Sequence, residues 1–359
     1  MSEHADAAQV ASFDASTAAA DYEPPLTDWT LRPFAAGAPP LAVAAALAVG
    51  LLVVSQLARV AVLGMPEGPL WQDPFFWVDI LNGVLFAYLP TALWLLRRAR
   101  LCDLRELRPH LREGVSYREV VDAVLRVPPR RLFFAGATGA LLLGILPIID
   151  PGFWDGARPA LAAPIMIFFI VRMALSGWLS GHVVATEARA FTAVTRIGAT
   201  QTRVDLMNLR PFEIFARAGL RSALAWVVVS SLVSLFWLGP GAGFGNAFIV
   251  GLTLAGVSLG VFACVYGPHR AIDAAKHEAL AAVESRIARA GAALESGREP
   301  ADAGVRLADL VAWHSYLGGV REWPIGAPAV ARAALLAALA IGSWLGGVLV
   351  EKAVDWLFG

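Results

Sequence analysis

The stretch PIMIFFIVRMALSGWLSGH at 164–182 places Arg172 in the middle of an otherwise apolar run. An unpaired guanidinium at mid-bilayer costs at least about 2.5–3.5 kcal/mol, so it must face protein or water and find a partner. Two chemistries suit such a residue: a structural ion pair that locks helices together, or a pathway for a substrate anion or a proton. Ser176 and Ser180 follow at four-residue spacing, beside Gly177 and Gly181, and turn the Arg172 face into a helix bundle. Asp79 is the expected counter-ion and Asn82 the expected bridge, with Asp150 and Glu351 in reserve. Ser230 and Ser234 are the remaining intramembrane polar groups.

A second constellation is His269, Asp273 and His277, which share one helical face at i, i+4 and i+8. These residue types at this spacing suit a divalent metal, with His182 and His110 on the same side of the membrane. Arg270, Lys276 and Glu278 surround them as on any solvated helix flank. HExxH and paired CxxC patterns do not occur, and no glycine-rich phosphate loop or GxSxG elbow stands in a supporting context. The expectation is therefore no catalytic residue and no cofactor. His277-Glu278, followed by Glu284 through Arg289, resembles the phosphoacceptor helix of sensor kinases over about a dozen residues. The glycine-rich boxes of an ATP-binding domain do not follow it, which argues against autophosphorylation.

A third pattern is Arg189, Arg196, Arg203 and Arg210, spaced by sevens and continued at Arg217. On one helix a seven-residue spacing drifts only about 20° per step, giving a single basic face. Pro211 should end the helix, so four arginines share the stripe. Such a face suits a solvated or lipid-facing flank, or a docking face for anionic lipid headgroups or a phosphorylated ligand.

These residues need elements to hold them. Of 359 residues 57% are hydrophobic and only 16% charged, with twelve tryptophans and zero net charge. That places the chain in the membrane class and gives no reason to expect a nucleic-acid partner. The two cysteines, Cys102 and Cys264, form no disulfide framework. The abundance of alanine and arginine, with only Lys276 and Lys352 as lysines, points to a GC-rich bacterial source. Residues 1–38 read as a disordered acidic tail without a signal peptide.

Seven segments are apolar enough to span: 39–62, 75–96, 132–149, 161–182, 222–238, 244–266 and 329–350, with six spans the runner-up count. The connections 97–131, 183–221 and 267–328, with the foot of the last span and Arg32, hold 25 basic residues, against three on the other face. Positive charge stays inside, which puts the N-terminus in the cytoplasm and the C-terminus in the periplasm or outside. The expected fold is thus all-α, a seven-span bacterial inner-membrane protein.

The connection 97–131 reads as two amphipathic helices. One carries Leu101, Leu104, Leu107 and Leu111; the other opens at a Ser116–Glu119 capping box and carries Val120, Val121, Val124 and Leu125. Their apolar faces suit the headgroup interface or the protein's own loops. Residues 267–323 read as a cytoplasmic helical hairpin, the natural place for a protein partner or self-association. Small residues at i, i+4 (Gly136/Ala140/Gly144, Gly177/Gly181, Gly256/Gly260, Gly342/Gly346) predict close helix packing. The function that follows is a non-enzymatic scaffold, sensor or assembly factor acting through the hairpin. The alternatives are a transporter or channel using Arg172 and Asp79, and a membrane metalloenzyme.

Overall fold

The computed structural model describes residues 22–64, 68–69, 74–149, 163–234, 243–295, 303–324 and 326, with isolated positions between 331 and 342. Its long helices are α1 (Pro40–Leu63), α2 (Pro74–Leu107), α3 (Tyr117–Leu125), α4 (Pro129–Gly144), α5 (Pro164–Arg196), α6 (Glu213–Ser234), α7 (Gly243–Glu295) and α8 (Ala303–Gly319). Among the described residues the only β contact is an isolated antiparallel bridge between Leu111 and Thr202. Pro40, Pro129 and Pro164 each open a helix, where the missing N–H removes no hydrogen bond. Among the described residues three helical stretches can cross a membrane by length and composition: Pro40–Val62, Phe76–His110 and Pro164–Gln201. The expected segment 329–350 lies mostly outside the described residues, as do Asp150, Glu351 and residues 1–21.

The apolar segments and the amphipathic connections turn out to be continuous. Helix α2 carries the expected segment 75–96 straight on through Leu101, Leu104 and Leu107, and α5 runs on past His182 to Arg196. These extensions build the largest hydrophobic core. It joins Leu101, Leu104 and Leu107 to Val120, Val121 and Val124 of α3, then to Val194, Ile197, Phe212, Phe215 and Ile272. Val121 and Ile272 are fully buried. The leucine and valine stripes therefore face the protein's own interior and not lipid headgroups, because α3 lies across α2 and α5 and covers them. Ser116 is the N-cap of α3, but its side chain makes no capping hydrogen bond.

The most extensive helix pair is α4 against α5, and it is a backbone seam. A Cβ placed on Gly177 would lie 2.0 Å from the Gly139 carbonyl oxygen, and one on Gly181 would lie 2.1 Å from that of Ala135. Gly139, absent from the expected small-residue pairs, is the residue at the contact; Gly136 instead leaves room for the rings of Trp178 and His182. Helix α7 crosses α5 in the same way, with Gly267 against the Thr195 backbone and the Pro268 ring against Gly198. Gly256 is open by comparison, with its nearest neighbour, Trp226, 3.9 Å away.

Helix α7 is a single rod of 53 residues that joins the segment 244–266 to the first arm of the hairpin. At about 1.5 Å per residue it is about 80 Å long, far more than the roughly 30 Å of a bilayer's hydrocarbon core. Helix α8 returns along it. Lys276 closes the return by donating to the carbonyls of Gly318 at 3.1 Å and Val320 at 3.0 Å and to Glu322 at 3.0 Å. A buried lysine here caps the C-terminal end of α8, where free carbonyls favour a cation.

Residues 22–36 do not float as part of an acidic tail. Asp28 accepts from the backbone N–H of Thr30 at 3.0 Å and starts a single 3-10 turn. Leu31 and Phe34 then pack on Leu93 and Trp94 of α2. The apolar residues within this segment give it something to bury, which composition averaged over 1–38 conceals.

Candidate functional site

The buried charge cluster is assembled from α1, α2 and α5, the helices whose length and composition would let them cross a membrane. Arg172 Nη1 donates to Asp79 Oδ1, and Arg172 Nη2 donates to the carbonyl of Val78 at 2.7 Å. Asp79 also accepts from Ser55 Oγ at 2.9 Å and from Gln56 Nε2. The side chains of Arg172 and Asp79 are 7% and 0% exposed, buried within protein before any lipid is considered. A charge pair taken from water in this way holds only if its remaining donors and acceptors are met. Here the carboxylate has three donors and the guanidinium a carboxylate and a carbonyl. The Arg172 guanidinium also lies 6.0 Å from the Phe168 ring centroid.

Asn82 does not bridge the two charges. Its amide donates to the carbonyl of Val78 at 3.0 Å, the same oxygen that Arg172 uses. Ser176 donates to the Arg172 carbonyl at 3.2 Å, a local helix contact rather than a contact with the guanidinium. The further donors to Asp79 come instead from α1, which sequence reasoning passed over as an apolar span. The signal was present in the run Ser55-Gln56-Leu-Ala-Arg59, three polar residues within five in an otherwise apolar helix. Arg59 is buried too, at 3% exposure.

A second buried polar system lies where α2, α5 and α6 meet the segment 22–36. Arg100 Nη2 donates to both oxygens of Glu187 at 2.7 Å and to Ser222 Oγ at 3.1 Å. Asp28 Oδ2 lies 3.2 Å from His182 Nδ1, and both residues are buried. Burial pushes the Asp28 carboxyl up, but hydrogen bonds from His182 and Thr30 outweigh it and hold the group below the usual carboxylate range. Arg97 Nη2 donates to the Pro24 carbonyl at 2.6 Å, and Tyr22 Oη donates to Asp122 at 2.8 Å. Neither Asp28 nor Glu187 stands out in the sequence, because each partner is far away in the chain.

His269, Asp273 and His277 do not converge as ligands. The His269 ring stacks on Trp323 with centroids 4.0 Å apart, and its Nδ1 lies 3.2 Å from the Glu322 carbonyl oxygen. His277 is exposed and lies beside Asp273 on its own helix. Among the described residues no group of three His, Cys, Asp or Glu is placed to hold a metal ion. Shared helical spacing was correct for the backbone, yet Trp323 draws His269 into the closure of the hairpin.

The four-arginine stripe also needs correction. Helix α5 ends at Arg196, passes through a π-turn (Ile197–Gln201) and becomes extended at Thr202. Thr202 Oγ1 donates to the Ile197 carbonyl at 3.0 Å, while backbone hydrogen bonds tie Arg203 to His110 and Arg112 to Gln201. Only Arg189 and Arg196 share the helix. Arg203 and Arg210 lie on the connection beyond it, because pairing with 110–112 ends the helix before a third turn of the stripe can form. No protein family, curated protein or solved structure matches the chain.

Proposed function

We propose that the protein is a seven-span bacterial inner-membrane protein with a cytoplasmic N-terminus, acting as a non-enzymatic scaffold, sensor or assembly factor through its cytoplasmic helices. The observation that carries this reading is the filled coordination of Arg172 and Asp79 across three helices. A pair with this many partners and this little exposure favours a lock over a pathway, since a transported anion or proton needs a charged group it can reach. The distribution of basic residues supports the orientation. The largest core, built from the ends of α2, α5 and α7 with α3, supports a rigid module on the arginine-rich side. Exposed apolar residues on its projecting hairpin, Val311 and Tyr316 among them, give that module a surface for protein contact.

The test uses the full chain. Proteoliposomes containing it should pass protons and chloride no faster than protein-free vesicles. A photo-crosslinking residue at Val311 or Tyr316 in cells should give a discrete protein adduct. Flux above the vesicle background overturns the lock, and a lack of adducts at every hairpin position overturns the scaffold.

A further inference from the structure

Two arginines of the stripe, Arg189 and Arg196, lie on one helix, and Arg131 joins them across the α4–α5 seam. The α4–α5 seam is antiparallel, with Gly139 against Gly177 and Ala135 against Gly181. Arg131, one turn before Ala135, therefore lies beside the turns of α5 that follow Gly181. Arg189 and Arg196 stand two turns apart on that part of α5. Arg131 and Arg196 are both near enough to repel the Arg189 guanidinium.

Three features, taken together, mark this group. First, among the described residues none of the three forms an ion pair. Arg97 pairs with Glu23, Arg100 with Glu187, Arg217 with Asp103 and Glu106, and Arg221 with Asp103. Second, Arg189 Nε is shielded from solvent and has no hydrogen-bond partner, leaving a directed donor unused. Third, the adjoining surface is apolar and aromatic. Phe133 and Phe134 are 57% and 67% exposed in the first turns of α4, and Phe133 packs edge-on against Trp178.

We propose that Arg131, Arg189 and Arg196 bind the phosphate of an anionic phospholipid, with its acyl chains lying along Phe133 and Phe134. Planar guanidinium groups match phosphate oxygens, and a positive group facing the cytoplasmic leaflet gains further from its anionic lipids. A free phosphate would satisfy the arginines and leave the aromatic surface without a role. The inference rests on the membrane reading above for the position of the cluster at the cytoplasmic headgroup level.

Binding is measured with the full chain in nanodiscs of phosphatidylcholine doped with phosphatidylglycerol, using native mass spectrometry to count retained lipids. The wild type should retain phosphatidylglycerol over phosphatidylcholine. The triple variant Arg131→Gln/Arg189→Gln/Arg196→Gln should lose that preference by about tenfold or more. The double variant Arg203→Gln/Arg210→Gln should keep it, and a triple Arg→Lys variant should keep part of it, which guards against misfolding as the cause. Equal losses in the glutamine triple and the 203/210 double overturn the site. Displacement of the lipid by millimolar inorganic phosphate overturns the lipid assignment. A chain that enters nanodiscs normally but shows no lipid preference overturns this inference alone, whereas a chain that fails to enter them overturns the membrane reading.

Discussion

Replacing Gly177 by alanine is the sharpest test of the α4–α5 seam. In an ordinary helix the change is favourable by roughly 0.5–1 kcal/mol, because glycine loses more backbone entropy on folding. Here the new Cβ would lie 2.0 Å from the Gly139 oxygen, 2.5 Å from its carbon and 2.9 Å from the Ala140 nitrogen. All three are backbone atoms, so no side chain can swing aside. The helices must part by about 1 Å, and the Gly181–Ala135 contact one turn away parts with them. Overpacking of this kind costs about 1–3 kcal/mol, so the sign reverses and the variant should be less stable by about 1–2 kcal/mol. Gly251→Ala provides the reference, since nothing lies within 4 Å of its Cβ position. Thermal unfolding of the two variants in detergent measures the difference. If they melt together, the seam is not a backbone contact and the reasoning fails.

The Asp28–His182 contact predicts a pH effect of defined sign. The Asp28 carboxyl is held below its usual value of 3.8, so its contribution is full above that value and lost as the pH falls through the lowered one. Protease protection of residues 22–36 should drop on acidification, and Asp28→Asn should show weak protection at every pH. Lys276→Met should remove the cap on α8 at a cost of about 1–2 kcal/mol, seen as faster hydrogen exchange in 314–319, with Lys276→Arg intermediate. The same lysine's hydrogen bond holds Glu322 below the usual carboxylate range, and Lys276→Met should raise it, as read by NMR titration. Cys102 is exposed and Cys264 buried, so a membrane-impermeant maleimide should label only Cys102. In the proposed orientation it should do so from the cytoplasmic side alone.

Much of the helical architecture was legible because helix-forming apolar segments announce themselves by length, and the prolines at 40, 129 and 164 mark where they open. Hidden from that reading was where one element stops and the next begins. Nothing local separates 75–96 from Leu101–Leu107, since Arg97 and Arg100 lie on the leucines' own face and are buried there, so the helical period runs on through them. The Arg172–Asp79 pairing could be inferred from the scarcity of intramembrane charge. Its completion by Ser55 and Gln56 was only half legible, because the polar run from Ser55 to Arg59 marks a polar face on α1 without saying which neighbour it meets. The arginine stripe failed for a non-local reason. Its spacing was real, but the bridge between Leu111 and Thr202 sets the end of the helix from ninety residues away in the chain.

The central claim, that Arg172 and Asp79 are a structural lock, is tested most directly by a double-mutant cycle. Equilibrium unfolding in mixed detergent would compare Asp79→Leu, Arg172→Met and the double variant with the wild type. Asp79→Leu should cost about 3–5 kcal/mol, because it strands a buried guanidinium. The double variant should recover part of that loss, giving a coupling of at least about 1.5 kcal/mol. Losses that add to within about 0.5 kcal/mol would show that the two charges do not stabilise one another and would contradict the lock.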